Sequence, residues 1–276
     1  MDSRGQVITN PEKLKELYLE TYTHRLRHRP IKEDFSHLKK LKETLFELRL
    51  KLCKQRKSEQ WNENDLERVL KGLKKNKSRD PHGLINELFK PGVIGSDLRG
   101  SLLSLFNGIK DNCHIPEFIK WANITSIYKG KGVKISLENE RGIFIVTVFK
   151  SILMRLIYDE KYEVIDSQMS DSNVGARKKK NIRNHIFVIN AIIHDVLSSK
   201  DNKAIDIQIM DYKQCFDAMW LRETMNDLYN SGVQDDQLAL LFEANKEVSV
   251  AIKTPNGLTD RLQLREIIYK EMSLGP

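Results

Sequence analysis

The chain has 276 residues, of which 40% are hydrophobic and 30% are charged, a composition typical of a globular protein with one or two domains and a substantial buried core. No apolar run is long enough to span a bilayer and the N-terminus lacks a secretory signal, which predicts an intracellular protein, nuclear or cytoplasmic, without a membrane segment. The net charge is +8, and three widely spaced cysteines (Cys53, Cys113 and Cys215) form no zinc-binding pattern and indicate reduced thiols.

The first 80 residues are basic and mainly helical by pattern. They hold 21 Lys and Arg against 13 Asp and Glu, which accounts for the whole net charge. Apolar residues recur at helical spacing from residue 11 to about 57, with an interruption at Pro30. Asn62 or Asn64 can cap a third helix that includes residues 66–73. The charge predicts contact with phosphate backbones, and solvated lysine-rich helix faces are the alternative.

The middle of the chain changes from helix to strand. A basic loop that contains Pro and Gly is predicted at residues 74–83, and a helix at residues 98–109. Beyond them, residues 121–128 and 142–148 are rich in β-branched side chains and are predicted to be strands. The tract Lys-Gly-Lys-Gly at residues 129–132 indicates a turn after the first of these strands.

Two further helices precede another predicted strand. Residues 150–158 and 184–197 return to helical spacing, and a basic cluster at residues 177–183 lies between them. In residues 204–211 three isoleucines share one face and polar side chains lie on the other. This alternation predicts a central, half-buried strand that ends at Asp211.

The last part of the chain combines helix and hairpin patterns. A helix is predicted at residues 220–229, with Gly232 as its stop signal. Residues 248–253 and 262–269 are predicted to be strands joined around Pro-Asn-Gly at 255–257, a hairpin signal. The order strand, helix, helix, hairpin predicts an α+β fold and not a doubly wound parallel sheet.

Asp211 is the first candidate functional residue. A carboxylate at the end of a buried strand lies on rigid backbone, as a metal ligand requires, and Phe216 would place an aromatic ring nearby. Taken alone, the segment is better explained by an Asp that caps a turn and a Phe that belongs to the core.

Five segments in order resemble the reverse transcriptases of LINE-like (non-LTR) retrotransposons. They are residues 74–92 (KKNKSRDPHGLINELFKPG), 116–131 (with Trp121 and IYKGKG), 140–157 (ERGIFIVTVFKSILMRLI), 172–193 (SNVGARKKKNIRNHIFVINAII) and 211–217 (DYKQCFD). The first is similar to the entry of the fingers region, and the next two are similar to its strands. The fourth is similar to a Gly-[Phe or Ala]-Arg basic segment, and the fifth to the first palm motif, an Asp with an aromatic five residues later. Each segment alone is a weak match to the family, whereas five matches in this order are a specific indication of it.

The resemblance implies a right-hand polymerase fold of the α+β class, with fingers and a partial palm. It divides the chain into a helical N-terminal extension (residues 1–62), fingers (63–200) and a partial palm (201–276). The implied activity is RNA-directed DNA synthesis. The implied partners are an RNA template, a DNA primer and deoxynucleoside triphosphates.

The resemblance also implies a metal site and a sugar gate. Asp211 would bind catalytic Mg²⁺ together with the carbonyl of Tyr212, since magnesium prefers carboxylate, carbonyl and phosphate oxygens. Two such ions would stabilise the attacking 3′ oxygen and the leaving pyrophosphate. The ring of Phe216 would occupy the space that a ribose 2′-OH needs.

Two cations are implied to hold the incoming triphosphate. One is Lys129, or Lys131 because the turn leaves the register open, and the other is Arg141. Arginine offers forked donors for phosphate oxygens and lysine a point charge. Without the resemblance, both would be interpreted as exposed loop cations.

The basic cluster is implied to contact the template. It consists of Arg177, Lys178, Lys179, Lys180 and Arg183. Five cations in seven residues repel one another, so a polyanion nearby is a physical reason to keep them. A solvated loop or a nuclear import signal is the alternative.

Two departures from the family pattern limit the implied activity. Lys270 and Glu271 stand where Gln and Gly normally precede the Gly-Pro of the second palm motif. The third palm motif, an Asp-Asp turn, and the family's endonuclease are not found, and Asp235-Asp236 lies at a predicted helix start. Two magnesium ions need more than one carboxylate. We therefore expect a truncated or degenerate copy that is inactive alone, with a non-catalytic RNA- or DNA-binding protein as the alternative.

Overall fold

The helices and strands form an α+β fold, confirming the predicted class. The computed structural model describes residues 8–26, 36–134, 136–175, 177–198, 204–211 and 219–266. The helices in these ranges are α1 (Pro11–Leu26), α2 (Ser36–Gln55), α3 (Glu63–Gly72), α4 (Ser96–Asn112), α5 (Val148–Ser167), α6 (Ile182–Ser198), α7 (Leu221–Asn230) and α8 (Asp236–Asn245). The strands are β1 (Ala122–Tyr128), β2 (Glu140–Val146), β3 (Lys246–Thr254), β4 (Gly257–Leu258) and β5 (Leu262–Glu266).

Short polar residues explain where several helices begin. The Asn62 side chain accepts hydrogen bonds from the backbone of Asn64 and Asp65 at the start of α3, and the Asp65 carboxylate accepts one from the Asn62 N–H in return. Thr147 caps α5 by accepting from the Lys150 N–H at 3.1 Å. Each cap is worth about 1 kcal/mol. These helices therefore start where a capping side chain directly precedes an apolar run.

β1 is a central strand of one mixed sheet. It pairs antiparallel with β2, so that Ala122 lies opposite Val146 and Tyr128 opposite Glu140. It pairs parallel with β3, where Ala122 lies opposite Val250. β3 in turn pairs antiparallel with β4 and β5. The predicted C-terminal hairpin is therefore part of the same sheet as the strands predicted at residues 121–128 and 142–148.

Two hydrophobic cores hold these elements together. The larger core lies among the helices, and α2 contributes to it. Its completely buried side chains include Leu66, Leu70, Phe106, Ile152 and Leu153. The smaller core lies between α1 and one face of the sheet, where Tyr18 and Tyr22 pack with Ile124 and Phe144. Burial of each large apolar side chain contributes about 1.5–3 kcal/mol. Residues 11–26 are thus part of the packed fold.

One predicted strand is wrong. Residues 204–211 form neither strand nor helix, and Ile207 and Ile209 are 54% and 88% exposed. Alternating isoleucines favour a strand only if a neighbouring strand pairs with them. The described part of the chain provides no such partner for this segment. The other predicted helices and strands are confirmed within the described residues, although α5 continues nine residues beyond its predicted end and residues 267–269 of the last predicted strand lie outside them.

The thiols agree with the predicted reduced state. Cys53 and Cys113 are free and buried, and burial raises the pKa of the Cys53 thiol to about 11. Cys215 lies outside the described residues. Among the helices that the structure describes, none combines the length and the apolar character required to cross a bilayer.

Candidate nucleic-acid interface

The β1–β2 hairpin brings together two cations that lie twelve residues apart in the sequence. Ile127 is paired with Arg141, and the Lys129 N–H continues the ladder by donating to the Asn139 carbonyl at 2.8 Å. Lys129 follows Ile127 by two positions, so it lies on the same side of the ladder as Arg141. Diagonal neighbours of this kind are about 7–8 Å apart. The hairpin therefore presents both cations at its tip.

The turn at the tip has a conformation that its glycines permit and that side-chain hydrogen bonds fix. Gly130 and Gly132 have φ angles of 76° and 77°, which favour glycine. A Cβ on Gly132 would lie 2.5 Å from the Asn139 amide nitrogen, and that amide donates to the Val133 carbonyl at 3.0 Å. The Tyr128 hydroxyl also donates to the Gly132 carbonyl at 2.6 Å. The Lys-Gly-Lys-Gly tract is thus a preformed turn.

Charge at the tip is exposed to solvent. The side chains of Lys129, Lys131, Lys134 and Arg141 are all exposed. Within the part of the chain that the structure describes, Lys131, Lys134 and Arg141 form no ion pair. Their charges are therefore available to an anionic ligand. Lys129 and Lys131, the two alternatives for the lysine implied to bind phosphate, belong to the same tip.

The predicted basic cluster behaves differently at its first member. Arg177 is only 7% exposed, and its guanidinium donates to both carboxylate oxygens of Asp166 and to the carbonyls of Ser170 and Asn173. The hydrogen bond from Arg177 holds the pKa of Asp166 below its usual value. Arg177 therefore fixes the turn between α5 and α6 and does not face the solvent where a template would lie.

The remaining cluster residues are partly neutralised. Lys178 lies 3.1 Å from Asp159 and 4.4 Å from the centroid of the Tyr162 ring, and Lys180 lies 3.3 Å from Asp171. Lys179 and Arg183 are exposed, and Lys179 has a positive φ of 63°. Two of the four remaining cations in the cluster thus have a carboxylate partner, which weakens their attraction for phosphate.

The implied polymerase site is described only in part. Asp211 is exposed and ends the irregular segment 204–211, while Tyr212 and Phe216 lie outside the described residues. No group of three His, Cys, Asp or Glu side chains that could hold a metal ion exists in the described residues. The structure therefore brings Lys129 and Arg141 together but provides no described contact between either of them and Asp211.

One anchor was missed by the sequence analysis. The buried Asp80 carboxylate accepts from the N–H groups of His82 and Leu84, both at 2.8 Å, and from the Val148 N–H at the start of α5 at 3.0 Å. The His82 ring stacks on Trp121 at 5.1 Å. The basic loop at residues 74–83 is thereby fixed to the sheet. An Asp directly before Pro in a basic loop was the available signal.

No protein-family model matches the chain, and no curated protein is significantly similar to it in sequence.

Proposed function

We propose that this chain binds the phosphates of RNA or DNA through the tip of its β1–β2 hairpin, at the two cations that the resemblance to reverse transcriptases assigns to the phosphates of an incoming nucleotide. The observation that supports this proposal most directly is the convergence of Lys129 and Arg141. Both were named from separate segments of the sequence, and the strand register brings them to one exposed tip. Two strands around a turn bring their ends together, and the side chains brought together here are both exposed cations.

The chemistry of the tip suits phosphate. Arg141 can donate two parallel hydrogen bonds to phosphate oxygens, and the lysines add mobile point charges. Gly130 has open space where a Cβ would lie, so a ligand can approach the backbone closely at that position. Because each neutralised phosphate releases counterions, binding at such a tip weakens steeply as salt is added.

Polymerase activity is a separate and more demanding proposal. Catalysis by two magnesium ions needs several carboxylates around Asp211, and the described residues do not supply them. We expect no primer extension on an RNA template, and extension that Asp211→Ala abolishes would establish polymerase activity instead.

A salt titration tests the binding proposal. The ligand is a fluorescently labelled single-stranded RNA or DNA, and the measurement is the slope of log Kobs against log salt. A hairpin variant with Lys129→Ala, Lys131→Ala and Arg141→Ala removes three cations. We expect the slope to be less steep than that of the wild type by about 2, since each contact to single-stranded nucleic acid contributes about 0.7 to its magnitude.

Two matched variants make the result specific. One removes the exposed cations Lys13, Lys40 and Lys51, which lie on α1 and α2. The other removes the cluster residues Lys178, Lys179 and Lys180. The first should leave the slope unchanged, and the second should lower it less than the hairpin variant does. If the hairpin variant and the α1–α2 variant have equal slopes, the hairpin is not the binding site.

A further inference from the structure

The last turn of α1 contacts the hairpin directly behind its cationic tip. Tyr22 is 2% exposed and packs in the small core between α1 and the sheet. Arg25 follows it by one helical turn, and its guanidinium lies 5.2 Å from the centroid of the Tyr22 ring. The two side chains form one contact surface, which is here called the α1 clamp.

Arg25 binds the backbone at the base of the tip. Its two terminal nitrogens donate to the carbonyl of Leu137 and, at 3.2 Å, to that of Glu140. Leu137 begins the short 3-10 turn that leads into β2, and Glu140 directly precedes Arg141. Among the described strands, β2 is paired with β1 alone, so the carbonyls on its other edge have no described strand partner. One forked side chain therefore fixes both ends of the segment from which Arg141 emerges.

Tyr22 binds the residue pair that lies next to Arg141 in the ladder. Ser126 and Gly142 are opposite each other, and the Tyr22 hydroxyl lies 2.5 Å from the Ser126 hydroxyl. A Cβ on Gly142 would lie 2.5 Å from the Tyr22 ring, so the ring occupies the space that a side chain would need. The neighbouring pair, Ile127 and Arg141, carries the phosphate-binding side chain. The α1 clamp thus fixes the hairpin one residue away from its charge.

We propose that Tyr22 and Arg25 are positioning residues that hold the hairpin tip in its binding conformation without touching the ligand. The proposal depends on the proposed phosphate-binding function of the tip. Because the tip is fixed before a ligand arrives, less conformational entropy is lost on binding. Residues 1–62 were predicted to be an extension, and this clamp gives α1 a role in the site itself.

Two variants that keep the net charge test the clamp. Tyr22→Phe removes only the hydroxyl that contacts Ser126, and Arg25→Lys keeps the charge but cannot donate to two carbonyls from one fork. We expect each to speed hydrogen exchange at the amides of Lys129, Ser136 and Asn139 by about fivefold, the equivalent of one lost hydrogen bond. Binding of single-stranded RNA should weaken by a similar factor while the salt slope stays as in the wild type, because the number of phosphate contacts is unchanged.

Matched controls come from the same chain. Tyr18→Phe removes a hydroxyl from the same helix that makes no hydrogen bond with a described residue, and Arg99→Lys makes the same exchange on α4. Both should behave as the wild type. The amides of α3 serve as an internal standard, since they lie in the other core and report whether a variant is folded.

The outcomes separate the clamp from the binding function. If the wild type binds no nucleic acid, the proposed function fails, while faster exchange at the tip would still support the clamp as the element that orders it. Unchanged exchange in both variants overturns the clamp whether or not the chain binds. Faster exchange with unaltered affinity overturns the link between the clamp and binding.

Discussion

Two apolar helices of similar length differ in how much of their surface is buried. α5 buries seven residues, among them Ile152, Leu153 and Leu156 in the helical core. α6 is at least as apolar in sequence but buries none, and Phe187 and Ile182 are 74% and 64% exposed. Apolar composition is thus not enough for burial, because a helix also needs neighbours that pack against it.

The difference begins at the helix N-termini. At the start of α5, Asp80 and Thr147 accept hydrogen bonds from backbone N–H groups of the first turn. These bonds attach the helix to the sheet and to the basic loop. α6 starts after the turn that Arg177 fixes against Asp166, and no side chain that the structure describes is buried along it. α5 is therefore held both at its start and along one face, whereas the contacts of α6 with other described residues hold it near its start.

The largest expected effect comes from truncating equivalent apolar side chains on the two helices. Leu153→Ala in α5 should lower the free energy of unfolding by about 3 kcal/mol, because it leaves a cavity in a close-packed core. Ile189→Ala in α6, where the side chain is 46% exposed, should change it by less than about 0.5 kcal/mol. Urea unfolding of both variants measures this difference. A similar loss in both would mean that α6 is packed in solution.

A second difference concerns a buried charge on α5. Lys150 is completely buried and donates to the Ala244 carbonyl at the end of α8. Burial, and then the charge of Lys120, lower the pKa of Lys150 to about 7. The unfolded chain therefore binds one more proton than the folded chain between about pH 7 and the usual lysine pKa, so stability should rise with pH from 7 to 9. The slope can reach about 1.4 kcal/mol per pH unit.

The Lys150→Met variant isolates that group. It keeps the hydrocarbon stem and removes the titrating amine, so the rise in stability between pH 7 and 9 should disappear. Lys51→Met, on the exposed side of α2, is the matched control and should keep the wild-type slope. An unchanged slope in Lys150→Met would assign the pH dependence to another group.

The attachment of the α5 N-terminus predicts a smaller effect. Asp80→Ala leaves the Val148, His82 and Leu84 N–H groups without their acceptor, and we expect a loss of about 2 kcal/mol in the free energy of unfolding. Hydrogen exchange should increase at Val148 and in the basic loop but not in α6. If the Val148 amide exchanges at the same rate in Asp80→Ala as in the wild type, Thr147 alone holds this end of the helix.

The smallest change in stability is expected on α6 itself. Phe187→Ser together with Ile186→Ser should leave urea unfolding within about 0.5 kcal/mol of the wild type. The same variant should bind less of a dye that reports exposed apolar surface and should aggregate more slowly, because both side chains are more than half exposed. Unaltered dye binding would mean that this surface is covered in solution.

Sequence reasoning succeeded where the signal was local. The Asn62 cap, the apolar spacing of α5 and the Gly-rich turn at residues 129–132 each depend on a few adjacent residues, and the structure contains all three. The hairpin tip could also be anticipated, because two strands around a turn bring their ends together. The strand at residues 204–211 could not be tested locally, since its pattern requires a partner strand.

Sequence patterns do not predict contacts between side chains that are distant in the sequence. The sequence shows that residues 177–183 are basic. It does not show that Arg177 forms an ion pair with Asp166, eleven residues earlier. Nor does it tell that Arg25 reaches the carbonyl of Glu140, which lies 115 residues later. Such contacts depend on how the elements pack.

The sequence by itself determined the helices, the hairpin and the charges, because propensity, capping and turn chemistry act over a few residues. Only the tertiary structure decided which apolar helix is buried and which cation is neutralised. Burial and ion pairing are properties of two surfaces in contact, and each surface alone carries half of that information. For this reason α5 and α6 look alike in sequence and differ in the folded chain.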